Sequence, residues 1–522
     1  MKELTFHRWY LPWTERWPDR SGYGDVGGGT STYGEHTERL FRLASGVRSE
    51  LGVRPGDKVA VLAANSRAYM ELYHTAYLGG FVLNPLNLRF APKELEYVLT
   101  DSDCKVVVVD FLFAGVIDQI REAVGLEKVV LIGDPIGDPP HDLRYEDLIT
   151  AGENVEPAEP EEDDPCLLMY TGGTTGLPKG VLSSQRGQIL NAVHGRSFLD
   201  LTGEEHVALL ITPMFHAASM ALIMNPHQAA APVFIQPLFD PGKALDAIED
   251  YDVTVTGGVP TMLAMMLNHP NFTPERVSSL KVIGYGASPM PEALLLTIQE
   301  LLPDVGLVQG YGMTEASALL TVLTAEDHRK GGDLLRSAGR AVPGVRLSIQ
   351  DPDDRPLPPG EIGEVCAQGG NFMTEYWKKP DATAEAFRGG WYRSGDAGYL
   401  DRDGYLFLVD RVKDMIVTGG ENVYCAEVEN ALASHPAVLQ VAVIGIPSEK
   451  WGEAVHAVVV LREGAAATEQ ELVDHAREWI AGYKLPKSIE FRTEPLPLSG
   501  AMKVLKRELR APYWEGKDRA VG

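Results

Sequence analysis

Between residues 38 and 133, apolar positions switch repeatedly between helical spacing and unbroken β-branched runs. Residues 39–51 carry apolar side chains three and four apart and stop at Gly52, which predicts a helix; residues 58–64 read as a short strand. Residues 67–78 are helical again and end at Gly79-Gly80, after which Phe81-Val82-Leu83 resumes as strand. A helix over 94–99 and strands over 105–110 and 128–132 complete the series. Such alternation predicts a parallel sheet with helices on its faces.

Residues 152–165 interrupt the rhythm with seven acidic residues and three prolines, the pattern of a solvated connecting loop. Leu167-Leu168-Met169-Tyr170 follows as a strand, and a second alternating region occupies about 205–330. From about 340 to 410 the runs shorten and turn signals multiply, suggesting a small barrel or sheet. Beyond Asp410 the texture becomes that of a compact α+β unit. There Thr468 and Glu471 make a capping-box pattern, and Leu472, Val473, Ala476, Trp479 and Ile480 fall on one helical face. The boundary is placed at Asp410-Arg411-Val412-Lys413.

Lys and Arg total 47 against 73 Asp and Glu, a formal charge of −26. So acidic a surface disfavours nucleic acid and anionic membrane as partners, and requires any anionic ligand to meet cations gathered locally. Residues 207–224 lack a formal charge, but Pro213, His216 and Ser219 favour a buried strand–loop–helix over an integral membrane segment. The N-terminal residues show no signal-peptide core, and Cys104, Cys166, Cys366 and Cys425 make neither a CxxC pair nor a disulfide framework. A reducing cytoplasm is the expected compartment.

The chemistry is carried by Tyr170-Thr171-Gly172-Gly173-Thr174-Thr175-Gly176-Leu177-Pro178-Lys179-Gly180. Its glycines let backbone N–H groups close around a ligand, while threonine hydroxyls and a lysine add donors, which suits a polyphosphate. It is not a Walker A loop, because Pro178 precedes Lys179 and Gly180 follows it.

This loop resembles the phosphate-binding signature of the adenylate-forming superfamily, which includes acyl- and aryl-CoA synthetases, adenylation domains and beetle luciferases. Its other motifs recur in the same order from about residue 165 to 510. The resemblance implies an α/β fold: a large N-terminal domain (1–410) of two doubly wound sheets plus a small β-barrel, and a smaller mobile α+β C-terminal domain (411–522). It also implies site roles. Gly310-Tyr311-Gly312-Met313-Thr314-Glu315 resembles the adenine and metal motif, with Tyr311 against adenine, Thr314 at the α-phosphate and Glu315 binding Mg²⁺. Asp396 would hold the ribose hydroxyls, with Arg411 as its companion at the hinge. His216, in Pro213-Met214-Phe215-His216, would line or gate the acid's entry beside Ala217 and Met220, and Gly284-Tyr285-Gly286-Ala287 with Gly310 would form another wall. Lys413 matches the hinge, and Gly419-Gly420-Glu421 the glycine loop that swings toward the pantetheine channel. Lys503 matches the adenylation lysine. The expected catalytic set is therefore Lys503, His216, Glu315 and Thr171.

Two positions depart from the superfamily pattern. Met502 stands before the lysine where Gly is usual, and Cys425 stands where Pro is common; a small buried thiol is the expected role of Cys425. The implied activity is ATP- and Mg²⁺-dependent activation of a hydrophobic carboxylic acid as acyl-AMP, followed by transfer to coenzyme A. The alternative is an acyl-AMP ligase loading a carrier protein. A homodimer is the expected assembly. The candidate pocket shows no evident basic residue, which disfavours a second carboxylate on the substrate, and fatty, aryl and bulky alicyclic acids all remain open.

Overall fold

The structure, a computed structural model, describes residues 2–133, 139–171, 177–199, 206–411, 415–418, 421–448 and 450–515. The alternation predicted in the first third is present. Val82–Pro85, Lys58–Leu62, Val106–Asp110, Lys128–Ile132 and Leu143–Arg144 run parallel in one sheet, interleaved with helices Arg67–Tyr77, Pro92–Asp101 and Ala114–Val124. Helix Tyr33–Leu51 starts earlier than its apolar spacing predicts, because Thr32 and Glu35 close a capping box at its head. Gly52 ends it at φ 67°, in the left-handed region where glycine costs least.

Among the described residues this sheet has eight strands. Its far edge is antiparallel, where Pro165–Thr171 and Lys179–Ser184 form a hairpin and Glu375–Tyr376 pairs with the returning arm. A second sheet has nine described strands. Its centre is parallel and includes Ala208–Leu210, Val255–Gly258, Val282–Gly286 and Gly306–Tyr311. Its margins turn antiparallel, so both sheets are mixed. One large apolar cluster, from Phe6 to Val255, fills the space between them.

The segment predicted as a small barrel or sheet is a curled half-barrel. Arg346–Gln350, Gly363–Gln368, Tyr392–Leu400 and Leu406–Arg411 follow one another antiparallel along an open path, so the expected barrel does not close. The C-terminal unit is α+β as predicted. Its long strands Val438–Ser448 and Gly452–Leu461 are flanked by helices Cys425–Ala433, Glu469–Arg477 and Lys506–Trp514. The Thr468–Glu471 capping box is formed, and Leu472, Ala476 and Ile480 are buried in this unit's core. Trp479 is the exception at 62% exposed: the helix ends at Arg477, and the backbone beyond it turns Ile480, not Trp479, into the core. Cys425 is fully buried, the expected small thiol.

The uncharged stretch 207–224 resolves into the strand Ala208–Leu210, a 3₁₀ turn Ala217–Ser219 and the short helix Met220–Met224. Among the described residues no helix is long and apolar enough to cross a membrane. The acidic connector does more than link. Glu162 accepts from the amides of Glu3 and Leu4 at 2.6 and 3.1 Å, and Glu159 pairs with Arg8 at 2.9 Å, fastening the N-terminal helix.

Candidate active site

The Pro165–Thr171/Lys179–Ser184 hairpin carries the glycine–threonine loop at its tip. Gly172, Gly173, Thr174, Thr175 and Gly176 lie outside the described residues, as do Lys413, Gly419 and Gly420. Thr171 and Lys179 face each other at the loop's mouth, with Thr171 Oγ1 donating to the Lys179 carbonyl at 3.4 Å. Lys179 Nζ stands over the Tyr376 ring, 4.8 Å from its centroid. The Tyr376 hydroxyl donates to Glu315 Oε1 at 2.8 Å. One phenol thus joins the loop lysine to the expected metal carboxylate. Burial, then the Glu315 charge, push the Tyr376 phenol upward, so it stays protonated and donating near neutral pH.

Glu315 sits in a tight turn beyond the strand Gly306–Tyr311. A Cβ on Gly312 would strike the Ala318 backbone, so only glycine fits there. Ser317 and Ala318 take positive φ of 55° and 126°, conformations that persist only when the surroundings hold them. They are held: Asn371 Nδ2 donates to the carbonyls of Ala316 and Leu319 at 2.9 Å each, and the Met373 amide donates to the Glu315 carbonyl at 2.7 Å. Tyr311, at the end of the same strand, donates its hydroxyl proton to Asp396 Oδ2 at 2.7 Å. Asp396 lies on the half-barrel, in register opposite Arg411, and its amide donates to Ser394 Oγ at 3.0 Å.

His216 caps the turn Ala217–Ser219. Its Nδ1 accepts from the Ala218 amide at 3.1 Å, which leaves the ring proton on Nε2. The residue is half-buried; desolvation of the ring, and then the charge of Lys503, hold its pKa down at about 3. Lys503 belongs to a segment that packs beside that of His216, with Gly500 against Phe215. It is carried by a turn in which the Ser499 amide donates to the Lys503 carbonyl at 2.7 Å and the Lys503 amide donates to Ser499 Oγ at 3.2 Å. The Arg89 guanidinium donates to the Leu498 carbonyl, and Gly500 lies against Asn87 and Phe215.

The expected acyl walls divide. Gly284 and Gly310 share a space that the Phe198 ring occupies: a Cβ on either would lie 2.9 or 3.1 Å from it. Ala217 is buried beside His216, while Ala287 has φ 66° at the end of the Gly284–Gly286 strand segment. Tyr285 turns the other way, as strand alternation demands, and its hydroxyl meets His328 Nε2 at 2.8 Å in the core. Met220 is likewise committed to the core, where its sulfur accepts from the Tyr77 hydroxyl at 3.4 Å. These two expected lining side chains therefore do not face the wall formed by the glycines. Glu421, itself exposed, opens the strand Glu421–Val423 and pairs with Thr418, while Val423 is buried in the C-terminal core. Phe198, Tyr376, Asn371 and Arg89 were not singled out from sequence, where each is a lone residue without a motif.

A family model described as AMP-binding enzyme matches residues 12–377, and one described as AMP-binding enzyme C-terminal domain matches residues 427–503. The chain belongs to the AMP-binding enzyme family. Within it the chain falls in the acyl-CoA ligase branch. It is 40% identical to feruloyl-CoA synthase of an Amycolatopsis species, over 93% of this chain and 95% of that one. It is 36% identical to the fatty acid–[acyl-carrier-protein] ligase ScoC of Streptomyces coeruleorubidus, over 95% and 94%. ATP-bound MatB from Rhodopseudomonas palustris superposes with a TM-score of 0.87 at 28% identity, covering 98% of this chain and 99% of that one. As a member of this branch the chain is an ATP-dependent, acyl-adenylate-forming acid–CoA ligase. The tyrosine–carboxylate pairs and the incoming lysine thus belong to an AMP-binding enzyme.

Proposed function

We propose that this ligase activates a hydrophobic carboxylic acid as its acyl-AMP and transfers the acyl group to coenzyme A, with residues 1–410 binding ATP and acid and residues 411–522 supplying Lys503. The observation that carries this reading is the docking of the Lys503 turn beside the His216 segment: Gly500 lies against Phe215 and Asn87 and the Arg89 guanidinium donates to the Leu498 carbonyl, which brings the far end of the chain to the acid's expected entry.

The physical need is clear. A carboxylate approaching the α-phosphorus of ATP brings like charges together, at about 4 kcal/mol per unit pair for 4 Å and an effective dielectric near 20. Lys503 between the two anions offsets this repulsion and orients the attacking oxygen. Lys179, Thr171 and the loop 172–176 would receive the departing pyrophosphate, Tyr311 and Asp396 would hold adenine and ribose, and Thr314 would contact the α-phosphate. Met313 precedes that contact in the same turn, and Arg411 stands opposite Asp396. His216, neutral with its proton on Nε2, is a donor and an apolar gate rather than a charge.

Glu315 fits Mg²⁺: a single hard carboxylate, oriented by Tyr376, suits an ion that draws its remaining ligands from phosphate and water. When bound, Mg²⁺ would neutralise charge on the phosphate oxygens. Release of the acyl group to the thiol then requires Lys503 to withdraw and residues 413 and 419–421 to approach. The apolar walls at Ala217, Phe198 and Phe215 support a hydrophobic acid. Carrier-protein loading remains the second reading, favoured by the likeness to ScoC along nearly the whole chain.

The test is mass-spectrometric. The enzyme is incubated with ATP, Mg²⁺ and a panel of fatty, aryl and polycyclic acids, with and without coenzyme A. Acyl-CoA and AMP released in step support the proposal; acyl-AMP that accumulates and ignores coenzyme A supports the carrier reading.

A further inference from the structure

The position before Lys503 is where the superfamily usually carries glycine, and here it is methionine. The backbone explains the glycine: Met502 has φ 61°, in the left-handed region that a side chain occupies at a cost. The turn itself belongs to the C-terminal unit, closed by the Ser499–Lys503 and Ser499–Met502 hydrogen bonds. What the methionine adds lies elsewhere. Its side chain packs against a core cluster built from residues 209–307 of the nine-stranded sheet and its helices. Among the described residues it is the one C-terminal side chain that does so.

We propose that Met502 is a positioning residue for Lys503: an apolar clasp that docks the lysine turn on the N-terminal unit and favours the arrangement in which the acid is adenylated. Arg89 at the Leu498 carbonyl and Gly500 against Asn87 and Phe215 flank the same clasp. The inference rests on the adenylation role proposed for Lys503. Since the turn's hydrogen bonds are internal to the C-terminal unit, the left-handed conformation accompanies the turn whether or not it is docked. The apolar contact exists only when docked. Met502 therefore destabilises the turn everywhere and stabilises one of its two placements, a trade that glycine does not make.

The test compares the full-length wild type with Met502→Gly and Met502→Leu. Glycine is at home at φ 61° and lacks the contact, so Met502→Gly should unfold at the same or a higher temperature. It should nevertheless catalyse acid-dependent ATP–pyrophosphate exchange roughly 5–10-fold more slowly, as expected for losing a partly buried methionine contact. Thioester formation from supplied acyl-AMP should not slow. Met502→Leu, which keeps the apolar contact, should exchange pyrophosphate within about 2-fold of wild type. Hydrogen–deuterium exchange of segments 87–90 and 498–503 should quicken in Met502→Gly alone. Undiminished pyrophosphate exchange in Met502→Gly, or a parallel loss of both half-reactions, overturns the clasp. If the wild type itself exchanges no pyrophosphate with any acid, the adenylation reading fails, and the deuterium comparison decides the clasp by itself: faster exchange in the two segments supports it and unchanged exchange overturns it.

Discussion

Tyr376 donates its phenolic proton to Glu315 at 2.8 Å, while its ring carries the Lys179 ammonium on its face. A loop lysine and a carboxylate 136 positions apart (315 − 179) are thereby held by one side chain. Tyr376→Phe keeps the ring under Lys179 and removes the hydrogen bond to a charged acceptor, which is worth about 1.5–3 kcal/mol. The expected outcome is a Mg²⁺ requirement raised roughly 10-fold or more, with the affinity for metal-free ATP little changed; nucleotide titrations with and without Mg²⁺ check both. Tyr376→Leu, which also loses the ring, should weaken both.

Lys503→Ala should reduce acyl-AMP formation by about 100–1,000-fold, the usual cost of deleting one preorganised charge, and leave conversion of supplied acyl-AMP to thioester largely intact. Pyrophosphate exchange and single-turnover thioester assays separate the two. Equal loss of both half-reactions would remove the case for a lysine that acts in one arrangement only.

Phe198 closes the space that Gly284 and Gly310 leave open. Truncation to alanine should deepen the proposed acyl site, so the preferred acid shifts toward longer or bulkier members of a homologous series, by about 0.8 kcal/mol for each newly buried methylene. A kcat/KM series across acids of increasing length reads this. No change in preference along the series would place the ring in packing alone.

Tyr311 and Asp396 meet across two different sheets at 2.7 Å. Tyr311→Phe removes the hydrogen bond but keeps a ring for the adenine, and should raise KM for ATP several-fold. Asp396→Ala should cost more, since the expected ribose acceptor goes with it. KM values for ATP at saturating acid distinguish the pair.

Acid should weaken the fold through three buried histidines. His36 Nε2 lies 2.9 Å from His74 Nδ1, and His227 packs near them on Tyr10. Desolvation lowers all three, His74 to about 4 and His227 to about 3. Their folded values lie below the unfolded one near 6.5, so the unfolded chain takes up protons first as pH falls. Stability is therefore lost between about pH 6.5 and the folded values, by up to about 1.4 kcal/mol per pH unit for each histidine. Denaturant unfolding at pH 4.5–7 should show the slope, and His227→Gln should reduce it by about one proton's share.

What the sequence determined by itself is local. The Thr468–Glu471 capping box, the stop at Gly52 and the β-branched strand at Val106–Asp110 each depend on neighbours within a few residues, and each is present as read. The glycine–threonine loop and the motifs around Glu315, Asp396 and Lys503 were legible for the same reason, since each motif is contiguous. Tertiary structure decided the rest. Whether the antiparallel strands of 346–411 close or only curl depends on how the outer two approach one another, which no single strand encodes. That Tyr285 faces His328 while Gly284 faces Phe198 follows from strand parity, which is known only once the sheet's two faces have been assigned. Trp479 fell on the apolar face by spacing, but the helix ends at Arg477, and beyond it the backbone turns Ile480 into the core and leaves Trp479 exposed. The contacts that build the candidate site, Tyr376 with Glu315, Tyr311 with Asp396 and Gly500 of the Lys503 turn with Phe215, join positions 61, 85 and 285 apart. Hydrogen bonding and desolvation act over a few ångströms, and the folded chain alone brings those partners within that range.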